Sequence, residues 1–278
     1  MTSRGWRVKP LAGVKAACVL FLAGGCAVKG PLLPDDDGTL ERQETIIFHK
    51  RPVELHLARL RGEPSGAPLV LYVTGDGGWR GADPLVFRTL VRWGYPSLGM
   101  EARGYLDHLG DLDETASPRR LARDYASLVA RARHELGLAS STKVVLVGFS
   151  RGAGLAVLAA SQHSLGASVL GVVAVALTDE EGDLRLEPEG ELPAHDPANT
   201  INPYHLLPRL GSLPVAVIQS TRDHYVTAAD ARRLFGADTP SRRLVAIESD
   251  GHTFAGARDK LLEALRASLR WIAGAPPD

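Results

Sequence analysis

The segment VVLVGFSRGAG, residues 144–154, leaves this chain few ways to fold. Its first four residues are apolar without alternation, the pattern of a strand buried on both faces. Gly148-Phe-Ser150-Arg-Gly152 follows as G-x-S-x-G, and residues 155–160 continue as a small apolar helical run. A serine between two glycines at a strand-to-helix junction implies a turn too tight for a Cβ at either glycine. The Ser150 hydroxyl then projects from the apex, and the helix behind it aims N–H groups at the same point. An ordinary glycine-rich turn is the bland alternative.

Such a turn stands on a sheet, and the chain supplies the strands. Residues 69–73, 169–176, 215–218 and 244–247 are further runs without polar alternation, and 96–100 reads as another strand. Residues 46–48 and 53–57 form an opening pair, the second alternating in and out. Between these runs lie amphipathic segments. Residues 119–136 carry Leu121, Tyr125, Leu128, Val129, Ala132 and Leu136 on one side, with Ser117 as N-cap and Pro118 in the first turn. Residues 257–273 close the chain with the stripe Leu261, Leu262, Leu265, Leu269 and Ile272. Strand–helix alternation predicts an α/β domain over 44–278, a mostly parallel, doubly wound sheet with helices on both faces. Residues 179–208, acidic first and then proline-rich, read as a small cap or lid inserted after a strand.

The N-terminus reads as an address. Arg4, Arg7, Lys9 and Lys15 precede a short apolar run that ends in Leu22-Ala-Gly-Gly-Cys26. That run has signal-peptide length, too short to span a bilayer. Its end resembles the lipobox of bacterial lipoproteins, which implies removal of residues 1–25 and lipidation of Cys26. A plain secretory signal is the alternative. Residues 26–43, with proline, glycine and three consecutive aspartates, read as the lipidated cysteine and a solvated tether. The expected location is the bacterial envelope, lipid-anchored and facing the periplasm. Ala27 lacks the aspartate of inner-membrane retention, which favours the outer membrane.

Composition excludes other classes. Thirty-two Lys+Arg balance thirty-two Asp+Glu, so there is no bulk basic grip for nucleic acid. The only cysteines are Cys18 and Cys26, which leaves neither a disulfide framework nor a cysteine metal site in the body of the chain. No metal and no cofactor are expected.

A nucleophilic serine needs a base, and the base needs an orienting acid. In α/β-hydrolases, whose signature is this strand–elbow–helix, the chain order is Ser, then Asp or Glu, then His. His252 follows the 244–247 strand, and Asp223 follows the 215–218 strand. His224 is the rival base and Asp250 the rival acid, while His163 and His205 read as surface or cap residues. Backbone N–H groups of Arg151 and of the glycine-rich loop after residue 73 are the expected oxyanion donors, Asp76 first and Gly77 next. A phosphate-cradling loop is the competing reading, but the Walker Lys-Ser/Thr is absent and the glycine spacing is wrong for a dinucleotide. Trp79 is either pocket wall or core.

Gly75-Asp-Gly-Gly-Trp-Arg80, the Ser117-Pro-Arg segment and Leu146-Val-Gly-Phe-Ser-Arg-Gly-Ala153 resemble the VirJ/AcvB family of bacterial α/β-hydrolases. The resemblance implies an envelope serine hydrolase cleaving a carboxylic ester, with a membrane phospholipid of the aminoacyl-phosphatidylglycerol type as substrate. It extends loosely to Arg103 and Tyr105 as substrate-binding residues. Arg151 stands where the family has Phe, and Gly154 where it has Asp. Arg103, Arg151 and Arg222 suit a bidentate hold on a phosphodiester, or are ordinary surface arginines. The alternatives are a general carboxylesterase or lipase-like enzyme, and a non-catalytic lipoprotein that uses the cleft to bind a ligand.

Overall fold

The computed structural model describes residues 31–35, 38–48, 51–62, 66–110, 117–179 and 201–274. The signal segment 1–25, Cys26 and most of the expected cap, residues 180–200, lie outside the described residues. Nine strands form one sheet among the described residues, ordered β1-β2-β3-β5-β4-β6-β7-β8-β9. They are β1 (Leu33–Pro34), β2 (Thr39–Phe48), β3 (Arg51–Leu60), β4 (Leu69–Val73), β5 (Ser97–Met100), β6 (Val144–Phe149), β7 (Val169–Val175), β8 (Val215–Ser220) and β9 (Arg242–Ile247). Pairing is antiparallel from β1 through β3 to β5 and parallel from β5 onward.

Helices cover both faces. On one lie α2 (Ala102–Gly110), α3 (Pro118–Glu135), α4 (Arg151–Ala160), α5 (His163–Gly166) and α6 (Ala228–Phe235), with a 3-10 segment at Pro203–Leu210. On the other lie α1 (Asp83–Arg92) and α7 (Arg258–Ile272). Alternate residues of each central strand enter opposite cores: Leu69, Leu71 and Val73 meet the first group, Val70 and Tyr72 the second. That double burial is why these strands show no polar alternation. Ser117 caps α3 as expected, accepting the N–H of Arg120 at 3.3 Å. The fold is that of the α/β-hydrolases.

Two boundaries differ from the sequence reading. Residues 39–43, expected in the tether, belong to β2, which pairs with β3 from Thr39↔Leu60 to Phe48↔Arg51. Polar side chains of β2 are held by distant partners: Arg42 donates to Glu135 at 2.7 Å, and Arg131 donates to Glu44 at 2.6 Å. Ion pairs to α3 turn a stretch that looks solvated into the inner face of a strand. The described end of the expected cap is also not a lid. Ile201, Tyr204, Leu206 and Leu207 are buried in the core, and the 3-10 segment packs against α4.

The order β5-β4-β6 marks where the chain reverses its winding direction. Ligands of open α/β sheets bind at the carboxyl ends of strands beside such a reversal. The loops after β4, β6, β8 and β9 all leave from that edge.

Candidate active site

Ser150 sits at the apex between β6 and α4 with φ 52° and ψ −118°, a strained conformation for a residue with a side chain. The surroundings enforce it. Its N–H donates to the Val175 carbonyl at 2.8 Å, and its own carbonyl accepts the N–H of Ala153 at 2.8 Å. A Cβ on Gly148 would run into the Gly152 carbonyl, and one on Gly152 into the carbonyls of Val73 and Thr74. The motif glycines are therefore demanded by backbone on all sides. Gly152→Ala is expected to cost about 3 kcal/mol, the upper end for overpacking, because carbonyls cannot swing aside as side chains do. Gly77→Ala, which points into open space, should leave the urea midpoint nearly unchanged. Equal midpoints for the two variants would contradict this account of the elbow.

The loops after β8 and β9 bring in the other two groups. His252 Nε2 lies 2.7 Å from Ser150 Oγ, and Nδ1 lies 2.8 Å from Asp223 Oδ2. A carboxylate only accepts, so Nδ1 carries the proton and Nε2 presents its lone pair to the serine hydroxyl. Asp223 is 2% exposed and fully used: Oδ1 accepts the Tyr225 N–H at 2.9 Å, and Oδ2 also accepts from Gln219 Nε2 at 3.2 Å. Gln219 is clamped in turn by the Val226 carbonyl at 2.5 Å. Ser249 donates to Ser220 at 2.7 Å and ties the two loops together. The rivals are elsewhere. Asp250 is exposed and takes Arg222 at 2.9 Å, and the His224 ring stands edge-on 5.7 Å from that of His252.

The loop after β4 lies against Ser150, since a Cβ on Gly75 would stand 3.2 Å from that of Ser150. Asp76 and Gly77 are exposed, and their backbone N–H groups have no partner among the described residues. The guanidinium of Arg151 forks onto the Asp76 carboxylate at 3.1 and 3.2 Å. That fork joins by side chains the two residues expected to donate by their backbones.

The family model of the bacterial virulence protein VirJ matches residues 68–265, which include every one of these residues. The chain belongs to the VirJ family. No curated protein matches it. Among solved structures it is similar to Est1E from Butyrivibrio proteoclasticus, with TM-score 0.58 and 16% identity over 83% of this chain and 99% of that one. It is similar to the esterase Est2 from Thermogutta terrifontis, with TM-score 0.56 and 18% identity over 88% and 96%. A membrane phospholipase A described as a bacterial virulence factor gives TM-score 0.56 and 15% identity over 86% and 88%. At these identities the likeness is one of fold.

Three of the site expectations meet a different environment. Tyr105 is 1% exposed, and its hydroxyl donates to Asp124 at 2.7 Å; burial pushes its phenol well above the usual value. It is a core residue beneath α3, not a substrate contact. Trp79 lies over Gly99 and packs against His56 at 4.2 Å and Phe87 at 5.4 Å, on the α1 side of the sheet. Its ring is spent on that aromatic cluster instead of a pocket wall, because Gly99 leaves the space for it. The guanidinium cluster does not form a common grip either: Arg151 is on Asp76, Arg222 is on Asp250, and Arg103 is exposed at the start of α2. His205 is exposed on the 3-10 segment, and the His163 side chain lies outside the described residues.

Sequence reasoning missed Gln219, Tyr225 and Glu101. The Tyr225 ring is 63% exposed and stands 4.8 Å from that of His252, edge to face. Glu101, just past β5, sets its carboxylate against Gly78 of the loop after β4. Adjacency to Asp223 and position at a strand's carboxyl end were the available signals.

Proposed function

We propose that this VirJ-family protein is a serine hydrolase of carboxylic esters that works through an acyl-enzyme. The observation that carries the reading is the unbroken chain from Ser150 Oγ through His252 to Asp223, on an elbow whose strain presents the hydroxyl. Ser150 attacks the ester carbonyl while His252 Nε2 takes its proton. Asp223 holds the imidazole and stabilises the cation that forms. The N–H groups of Arg151 and Asp76, with Gly77 next to them, receive the oxyanion. His252 returns the proton to the leaving alcohol, and water, activated by the same nitrogen, releases the acid.

The substrate we propose is an aminoacyl ester of a membrane phospholipid, reached from a lipid anchor on Cys26 at the periplasmic face of the outer membrane. The lipobox-like end of the signal segment supports the anchor. A carboxylate supports the aminoacyl group: Glu101, set against Gly78 of the loop after β4, suits an ammonium. The test presents the purified protein with vesicles of phosphatidylglycerol, with and without an aminoacyl ester, and with p-nitrophenyl butyrate. Release of free amino acid, and fluorophosphonate labelling confined to Ser150, are expected. Glu101→Gln should raise KM for the aminoacyl ester about fivefold more than KM for the neutral one, the scale of one partly exposed charge pair. Butyrate hydrolysis without amino-acid release would leave a general carboxylesterase. Absence of both activities and of labelling would leave a ligand-binding lipoprotein.

A further inference from the structure

A buried carboxylate that the chemistry above does not use holds the loop that chemistry depends on. Asp83 opens α1, where a helix N-terminus favours negative charge, and is 7% exposed. Tyr72 of β4 donates its hydroxyl to Asp83 Oδ1 at 2.7 Å. The backbone N–H of Gly75 also donates to this carboxylate, and the Asp83 N–H, bonded to the Arg80 carbonyl at 3.2 Å, faces it as well. Gly75 is the residue seated against Ser150 and the Phe149 carbonyl, and the next two residues are Asp76 and Gly77. One carboxylate thus reaches both the strand end and the second amide of the loop.

We propose that Asp83 is the positioning residue of the oxyanion loop, fixing Gly75 so that the Asp76 and Gly77 N–H groups meet the developing charge on the substrate. The inference rests on the ester-hydrolase reading. The ionised carboxylate accepts from Tyr72 and Gly75 together; a protonated one carries an O–H that must turn to an acceptor, which the Tyr72 hydroxyl can become and the Gly75 N–H cannot. Burial pushes the Asp83 carboxyl up to about 6, opposed by the hydrogen bonds from Tyr72, Gly75 and its own N–H. Asp83 is therefore charged at pH 8 and neutral at pH 5. The titratable groups on the elements packed around it are few. Tyr72 is pushed well above its usual value by burial and stays protonated. His56 on β3, paired with Glu54 and Glu41, lies beyond Trp79, and β5 has no titratable group. Glu101 lies against Gly78, and Arg80 on the intervening loop is exposed.

Steady-state hydrolysis of p-nitrophenyl acetate, followed from pH 4.5 to 9, tests the role. Asp83→Asn turns an N–H toward a donor and should lower kcat about 30-fold at pH 8 with KM within about twofold, below the full loss of one oxyanion donor. The acid limb carries the sharper signature. In the wild type Asp83 must be ionised, so the acid limb of log(kcat/KM) gains one unit of slope below about pH 6; Asp83→Asn removes that unit. Tyr72→Phe removes a bond to the ionised form, raises the Asp83 pKa and moves the limb to higher pH. Wild-type kcat in Asp83→Asn, or a lowered kcat with the acid limb unchanged, overturns the proposal while the hydrolase reading stands. If Asp83→Asn does not fold, an unmoved limb in Tyr72→Phe overturns it. A wild type inert toward ester and fluorophosphonate overturns both readings.

Discussion

Ser150→Ala should lower kcat for a carboxylic ester by about 10⁶-fold, and His252→Ala about as far, because in the proposed mechanism nucleophile and base act as one unit. The geometry gives the reason. The serine hydroxyl is a weak nucleophile alone, and its activation runs through a single nitrogen 2.7 Å away. Removing either end leaves nothing for the other to do, so the double variant should be no slower than either single one. The residual rate, still about 10³-fold over water, belongs to the loop N–H groups and to binding. Burst titration and steady-state rates on p-nitrophenyl acetate measure all three variants. A drop of only a few-fold in Ser150→Ala, or losses that multiply in the double variant, would contradict the assignment.

How much of this was visible in the sequence depends on whether a feature is enforced locally. The elbow was legible because its constraint is written in residue types. Gly148 and Gly152 sit where a Cβ would strike backbone, and the strands on either side are buried on both faces. Asp223 and His252 were legible because each follows a strand in the right chain order, and the parallel sheet brings all carboxyl ends to one edge. The start of β2 was not. Arg42 and Glu44 find their counter-charges on α3, some ninety residues away, and no window along the chain contains both partners. Trp79 was left undecided and Tyr105 misplaced for another reason. An aromatic residue beside a motif looks the same whether it faces ligand or core, and only Gly99 and Asp124, distant in sequence, decide it. Asp83 is the converse case: an acid in the first turn of a helix ordinarily faces water, and its burial under the loop depends on Tyr72.

Asp223→Asn should lower kcat about 10⁴-fold while leaving the fold and KM nearly intact. The replacement keeps the shape and removes one property, the capacity to accept on every side. In the native protein the carboxylate accepts from Tyr225 N–H, Gln219 Nε2 and His252 Nδ1 together. An asparagine has one accepting oxygen, and the backbone N–H of Tyr225 is the donor least able to move. With its oxygen committed there, the asparagine NH2 faces the imidazole and donates to Nδ1. The proton then resides on Nε2, which donates toward Ser150 instead of accepting from it, and the hydroxyl loses its base. Substitution of Gln219 by Glu should not rescue the variant, because a new carboxylate there would face the Val226 carbonyl. The check is kcat between pH 7 and 10, where hydroxide increasingly replaces the missing base: activity of Asp223→Asn should climb with pH above the wild-type plateau region. A variant within tenfold of wild type at pH 7 would mean that Asp223 does not set the tautomer of His252.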